Sequence, residues 1–137
     1  MKRYFVPLIL FSFSSVAFSE PVLNVNNVVG KTKAEVAKVI GNPLNCEKSK
    51  YGSKCTYSKG ESEIVFIKGK ADWITIEAID HIPFNISALE SIGLPKQKAD
   101  FKNNYTLRWS GINGLYEVSI FKGNKNSDYA YIKAVTK

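Results

Sequence analysis

Residues 54–78 read KCTYSKGESEIVFIKGKADWITIEA, and this stretch decides the fold. Much of it alternates with the period of two that is typical of half-buried β-strands. Lys59-Gly60 and Lys68-Gly69 interrupt it with the glycine-bearing turns that join antiparallel neighbours. The pattern predicts a three-stranded antiparallel meander, with strands at 54–58, 63–68 and 72–78.

A second stretch of the same kind follows along the chain. Its strand-like segments, at 105–109, 115–122 and 129–135, come after Ile92-Gly93-Leu94-Pro95, just as the first meander comes after Ile40-Gly41-Asn42-Pro43. Self-similarity of this kind predicts an internal duplication, with units at 20–80 and 81–137. About fifty residues bury too little surface for an independent core, so we expect the two units to share one.

A short helix is predicted ahead of each meander. Thr32 and Glu35 have the spacing of a capping box, and the helix that they start ends at the Gly-x-Pro beginning with Gly41. In the second unit Ser87 is the predicted N-cap, and Gly93 ends the helix. The predicted fold class is α+β: two similar helix-plus-antiparallel-meander units whose sheet carries short helices packed on one face.

Strand periodicity assigns the side chains to the two faces of the sheet, because residues two apart share a face. If Cys55 bonds Cys46 near the end of the first helix, the side of the strand on which Cys55 lies is the core side. The residues expected to point into the core are Tyr57, Ile64, Phe66, Ile74, Ile76, Leu107, Trp109, Tyr116, Val118, Ile120, Ala130 and Ile132. The opposite face is expected to carry Val65, Ile67, Trp73, Thr75, Glu77, Arg108, Ser119, Phe121, Tyr129, Tyr131 and Lys133.

This second set is rich in the residue types that dominate binding energy at protein interfaces. Two short helices can cover only one side of a sheet of six strands. We therefore expect an exposed partner-binding face formed by Trp73, Tyr129, Tyr131, Phe121, Arg108 and Lys133. The alternative is that the two units fold face to face and bury these rings as a second core.

The N-terminus has the pattern of a cleaved export signal. Lys2 and Arg3 precede an apolar run at 4–13, and Ala17 and Ser19 have the spacing of a signal-peptidase site. The run is too short for a bilayer-spanning helix, so no stable membrane insertion is expected. A periplasmic or secreted location follows, and there an even pair of cysteines is expected to form a disulfide, Cys46–Cys55.

The charge balance is mildly basic. The 137-residue chain has a formal net charge of +7, and loss of Lys2 and Arg3 with residues 1–19 leaves +5. Lysines are scattered singly along the sequence, unlike the clusters of a nucleic-acid footprint, so no nucleic acid is expected as a partner.

Catalytic chemistry has few candidate residues. His81 is the only histidine, and the adjacent Asp80 is poorly placed to orient it. The carboxylate pairs Glu61/Glu63 and Asp72/Glu77 are more typical of solvated turns than of an acid–base couple. Phosphate-binding glycine loops and multi-residue metal spacings are missing from the sequence. We expect a protein that is not an enzyme and that needs neither a metal nor another cofactor.

The run from Gly30 through Glu35 to Pro43, the cysteines Cys46 and Cys55, and the second unit together resemble the beta-lactamase inhibitory protein and its relatives. That resemblance implies tandem helix-plus-sheet units that grip an enzyme with a concave sheet surface. It also implies that the turn after the second cysteine, at 58–62, enters the target's active site, with Glu61 as an acidic probe. The first half alone is similar to the small outer-membrane lipoproteins of the β-barrel assembly machinery, although no lipid-accepting cysteine follows the signal.

Another protein is therefore the expected partner. The first hypothesis is a non-catalytic inhibitor, or an immunity-type binder, of a periplasmic or extracellular enzyme. The alternative is an envelope assembly or scaffolding factor, which would bind outer-membrane components.

Overall fold

The computed structural model describes residues 9, 10, 12, 20–124 and 127–134. Most of the predicted export signal at 1–19 lies outside the described residues, as does the end of the last predicted strand at residue 135. The strands are β1 (Asn45–Lys48), β2 (Ser53–Tyr57), β3 (Ser62–Ile67), β4 (Lys70–Ile76), β5 (Phe101–Lys102), β6 (Thr106–Ser110), β7 (Glu117–Phe121) and β8 (Tyr129–Lys133). The helices are α1 (Lys33–Ile40) and the 3₁₀ helices Val25–Asn27, Lys59–Glu61, Ile86–Ile92 and Ile112–Gly114.

All eight strands form one antiparallel sheet in the order β1-β2-β3-β4-β8-β7-β6-β5. The α+β class is thereby confirmed. β4 and β8 lie at the centre, where Ile74 is paired with Ile132. The alternative prediction, in which two units fold face to face, is wrong. β4 and β8 pair with each other and so join the two halves of the chain side by side in a single sheet. The outer strands β1 and β5 are additions to the six strands predicted from the sequence.

The first helix forms as its sequence predicts. The side chain of Thr32 accepts a hydrogen bond from the backbone N–H of Glu35 at 3.3 Å, which satisfies one of the free N–H groups of the first turn. Val36 is fully buried against the sheet, and the helix ends at Ile40, before Gly41. Packing of this one face stabilises a helix of only eight residues, which would not persist alone.

The second helix differs in type and in its cap. It is a 3₁₀ helix, and its N-cap is Asn85, whose side chain accepts from the backbone N–H of Ser87 at 2.9 Å. The prediction of Ser87 as the cap is therefore wrong by two residues. Asparagine caps a helix as readily as serine does, and the backbone N–H of Asn85 donates to the carbonyl oxygen of Pro83 at 2.9 Å, in the turn before the helix. The helix ends at Gly93, which adopts φ +82°.

One hydrophobic core fills the space between the helices and the sheet. Val25, Val36, Leu89 and Ile112, which come from four of the helices, are all buried in the same cluster as the inward side chains of the strands. The predicted core residues are buried with one exception. Tyr116 is 48% exposed, because β7 begins at Glu117 and the alternation of buried and exposed side chains does not extend to the residue before the strand.

The predicted disulfide is present. Cys46 on β1 lies directly opposite Cys55 on β2, and the two residues are bonded. The bond ties an edge strand of four exposed residues to the body of the sheet. It therefore holds in place a strand that contributes almost nothing to the core.

Reduction of this bond is expected to lower the free energy of unfolding by about 2–3 kcal/mol, because the unfolded chain regains the freedom of a closed loop. The cysteines are nine residues apart, so the loop is short and the effect lies at the lower end for disulfides. Urea unfolding of the oxidised protein, repeated with dithiothreitol, measures the difference. The Cys46→Ala/Cys55→Ala variant, with and without dithiothreitol, is the control. A wild-type change below about 0.5 kcal/mol would contradict the expectation.

Candidate functional site

The face of the sheet opposite the core is called here the open face. Within the described residues every helix that contributes to the core does so on the other side. The strand registers align one open-face residue from each strand into a continuous row: Asn45, Thr56, Glu63, Thr75, Tyr131, Ser119, Arg108 and Phe101. A neighbouring row contains Glu47, Lys54, Val65, Trp73, Lys133, Glu117 and Ser110.

Three aromatic rings form a cluster at the centre of the open face. The ring of Trp73 lies 4.9 Å from that of Tyr51 and 6.2 Å from that of Tyr131, measured between centroids. Trp73 and Tyr131 are half-buried, and Tyr51 is exposed. Sequence reasoning missed Tyr51, because it lies in the turn after β1 and belongs to no strand pattern. The one signal in the sequence was the cysteine pair, Cys46 and Cys55, because a disulfide between them places Tyr51 in the turn that joins β1 to β2.

A second pair of rings lies further along the same face. Phe121 and Tyr129 are paired across β7 and β8, and their rings stack with centroids 4.8 Å apart. Tyr129 is 37% exposed. Toward the β5 edge of the same face, Arg108 lies 5.4 Å from the ring of Phe101 and forms a 3.0 Å ion pair with Glu117. All six residues predicted to form the binding face therefore lie on one face of the sheet.

The expectation that Lys133 belongs to the exposed part of the binding face is wrong, because its side chain is buried against Asp72. A register shift between Val65 and Phe66 leaves Asp72 as an extra residue on β4, and its carboxylate contacts the Lys133 ammonium at 2.9 Å. Both side chains are less than a tenth exposed. The ammonium also lies over the ring of Trp73, 5.1 Å from its centroid, and this cation–π contact stabilises the aromatic cluster.

Two of the tyrosines have perturbed titration. Burial raises the pKa of the Tyr131 phenol, and the carboxylates of Glu117 and Asp72 raise it further. Burial also raises the pKa of Tyr57, which lies in the core. Tyr131 is therefore neutral at physiological pH, and its hydroxyl can donate a hydrogen bond at the centre of the open face.

A network of charges lies at the β1 side of the open face. The Lys54 ammonium contacts Glu47 at 3.2 Å and Glu63 at 3.9 Å. The hydrogen bond to Glu47 and the charges of both carboxylates raise the pKa of Lys54. These contacts keep the lysine charged across the physiological range and fix three side chains beside the aromatic cluster.

Glu61 lies at one end of the open face, in the turn between β2 and β3. The turn requires positive φ at Gly60 and at Glu61 itself, which presents the exposed carboxylate to solvent. Beside it is a cleft of about 200 Å³ that contains four carboxylates and the ring of Tyr129. The cleft, called here the acidic cleft, is lined by Glu61, Glu77, Asp80, Ser127, Asp128 and Tyr129.

Three of the candidate catalytic residues, Glu61, Glu77 and Asp80, line the acidic cleft, whereas His81 does not. Asp72 and Glu77 are five residues apart along β4 and its extension, which separates them by about 16 Å in an extended chain. Asp72 contacts Lys133, and it does not line the acidic cleft with Glu77. His81 is exposed and lines a different cleft, of about 410 Å³, together with Ser87 and Glu90.

Comparisons with known proteins identify no relative of this chain. No protein-family model, curated protein or solved structure matches the chain. Within the part of the chain that the structure describes, none of the helices has the length and apolar character needed to cross a bilayer. The same residues contain no group of three or more potential metal ligands arranged to hold an ion.

Proposed function

We propose that this chain is an exported, non-catalytic protein-binding module that inhibits, or protects against, a periplasmic or extracellular enzyme by docking it on the open face. The observation that carries the proposal is the aromatic cluster of Tyr51, Trp73 and Tyr131, which lies on a sheet face where none of the described helices packs. Rings of this kind supply most of the binding energy at the centres of protein interfaces.

The open face is suited to binding because its side chains are held in place before a partner arrives. Ion pairs fix Lys54, Arg108 and Lys133, and ring contacts fix Trp73 from two sides. A preorganised surface loses little conformational entropy on association, which leaves more of the contact energy as affinity. A tight, stoichiometric complex is the expected result.

We further propose that the two halves of the sheet descend from one duplicated unit. The strand order is compatible with this, because β1 to β4 and β5 to β8 are each meanders that meet at β4 and β8. The β2–β3 and β6–β7 connections are both 3₁₀ turns that contain a residue of positive φ, Gly60 in one and Asn113 in the other. Duplication doubles the width of the open face without adding a second core.

Replacement of Trp73 or Tyr131 by alanine is expected to weaken the complex by about 2 kcal/mol, which is about 30-fold in Kd. The partner is first trapped by ultraviolet cross-linking from a photoreactive phenylalanine placed at Tyr131, in protein exported to the periplasm, and is identified by mass spectrometry. Titration of the purified partner then gives Kd and, for an enzyme, the stoichiometry of its inhibition. Capture of an envelope assembly component that shows no inhibition would favour the scaffolding alternative.

The matched control is Tyr105→Ala, which removes an exposed tyrosine from the β5–β6 turn. This variant should bind like the wild type. Circular dichroism of each variant tests the fold. If Trp73→Ala and Tyr131→Ala both bind normally while folded, the open face is not the docking surface.

A further inference from the structure

A buried hydrogen-bond donor at the centre of the open face lacks an acceptor. The indole Nε1–H of Trp73 is buried, and no described residue accepts a hydrogen bond from it. The indole of Trp109, the other tryptophan, donates to the carbonyl oxygen of Gln97 at 2.9 Å. A buried N–H group without an acceptor is costly, and native proteins retain few of them. An acceptor supplied by a bound molecule would therefore stabilise the aromatic cluster.

The side chain of Tyr51 is the part of the cluster that can move aside. Trp73 and Tyr131 lie on the central strands β4 and β8, whereas Tyr51 lies in the turn between β1 and β2 and is 52% exposed. Its ring packs on the indole at 4.9 Å between centroids, tilted by 47°. Rotation of an exposed side chain about its Cα–Cβ bond needs no change of the backbone. Such a rotation removes one neighbour of the indole and opens a ring-sized space beside it.

The backbone of this turn is held in place, so the space opens at a fixed position. The Ser49 hydroxyl donates to the carbonyl oxygen of Gly52 at 2.7 Å and accepts from the N–H of Tyr51 at 3.3 Å. A Cβ at Gly52 would collide with the carbonyl oxygen of Phe66, because the turn lies closely against β3. The disulfide closes the same loop. The turn therefore keeps Lys50 next to the cluster whichever way the Tyr51 ring points.

Lys70 provides a positive charge on the same side of the sheet. It is paired with Ile67 on β3, and Trp73 is paired with Val65. Val65 and Ile67 are two residues apart, so they share a face of the strand. Lys70 is exposed at the start of β4, and it therefore lies on the open face with Trp73.

The charges beside the cluster favour an anionic acceptor. The Lys50 ammonium lies 5.5 Å from the centroid of the Tyr51 ring, and Lys70 adds a second exposed cation. The neighbouring carboxylate of Asp72 is already paired with Lys133 at 2.9 Å. A carboxylate accepts a stronger hydrogen bond from an N–H group than a neutral carbonyl does, and nearby cations stabilise it further. An aspartate or glutamate side chain of a protein partner is therefore the acceptor best matched to this position.

We infer that the partner inserts an acidic side chain beside Trp73, where its carboxylate displaces the ring of Tyr51 and accepts a hydrogen bond from the indole Nε1–H. Lys50 and Lys70 then flank the carboxylate. This inference rests on the proposed function, because it names the chemistry of the group that docks at the aromatic cluster. Tyr51 is the exception among the preorganised side chains of the open face: it covers the site in the free protein and is moved aside in the complex.

Nuclear magnetic resonance of the indole signals tests the inference with the disulfide-bonded protein labelled with ¹⁵N. The chain has two tryptophans, and the Trp73→Phe variant assigns their signals. The probe is an acetylated hexaglutamate amide, and the comparison peptide is hexaglutamine, which has nearly the same size without the charge. The glutamate peptide should shift the Trp73 indole proton downfield as its hydrogen bond forms. The Trp109 signal should stay unchanged, because that indole already has its acceptor.

Three variants test the parts assigned to the neighbouring side chains. Lys50→Gln/Lys70→Gln should bind the glutamate peptide about tenfold more weakly, because both flanking charges are lost. The matched control is Lys38→Gln/Lys96→Gln, which removes the same charge from the helical side and should change binding less than about twofold. Tyr51→Ala should bind the glutamate peptide about threefold more tightly, because no ring has to be displaced.

An unchanged Trp73 indole signal at saturating hexaglutamate would overturn the inference, as would an equal shift with hexaglutamine. Weaker binding by Tyr51→Ala would also overturn it, because the ring would then be an anchor. Equal weakening by the control pair of lysines would show that net charge alone acts. The proposed function is tested separately by the alanine variants of Trp73 and Tyr131. If these variants weaken the natural complex while Lys50→Gln/Lys70→Gln does not, docking on the open face stands and its assigned chemistry is wrong.

Discussion

Replacement of Trp109 by alanine is expected to lower the free energy of unfolding by about 3–5 kcal/mol, which is a large share of the stability of a small domain. Trp109 is 0% exposed and is among the largest fully buried side chains of the core. Its indole N–H donates to the carbonyl oxygen of Gln97 at 2.9 Å. Truncation removes the packing of a large ring and leaves that carbonyl group without its partner.

Thermal or urea unfolding followed by circular dichroism measures the change. Trp109→Phe should lose less, because the phenyl ring retains much of the packing, and the exposed control Tyr105→Ala should stay within about 0.5 kcal/mol of the wild type. The two halves share one core, so Trp73 fluorescence and circular dichroism should report a single transition. A loss below about 1 kcal/mol for Trp109→Ala would mean that the second half adds little to this core.

The elements that alternate strongly were predictable from the sequence. Ile64, Phe66, Ile74 and Ile76 have the parity of one buried face, and they are buried. The capping box of Thr32 and the disulfide were equally predictable, because each depends on residues that are close together in sequence. Local chemistry and strand period thus account for most of the fold.

The edges of the sheet were not predictable in this way. β1 is NCEK, exposed along its whole length, and β5 has only two residues, so neither carries an apolar pattern. Both form because the neighbouring strand offers unpaired backbone groups, which is a tertiary cause. Tyr116 was assigned to the core because its parity was extended beyond the first residue of β7.

The candidate site was predictable as a face but not in its details. Parity placed Trp73, Tyr131 and Phe121 on the same side, and the strand registers agree. The irregularity that turns Asp72 toward Lys133 shifts the parity within β4, and no sequence period signals it. The acidic cleft depends on residues from three separate turns, so only the folded chain brings its carboxylates together.

The ion pair of Asp72 and Lys133 provides the second large effect. Lys133→Met is expected to lower the free energy of unfolding by about 3–5 kcal/mol, because a carboxylate is left buried without its counter-charge. The exposed pair of Glu90 and Lys96, at 3.7 Å, provides the matched control, and Lys96→Met should cost less than about 0.5 kcal/mol. Chemical denaturation of both variants measures the difference.

The double variant Asp72→Asn/Lys133→Met separates the ion pair from general packing. If the cost of Lys133→Met comes from an unpaired charge, neutralising Asp72 as well should recover much of the lost stability, giving a coupling energy well above 1 kcal/mol. Additive losses would instead mean that Lys133 acts through its packing alone. Because the Lys133 ammonium lies 5.1 Å from the Trp73 ring, loss of the pair should also shift the fluorescence of Trp73 in the folded protein. A stability loss without that shift would show that the pair supports the sheet but not the aromatic cluster.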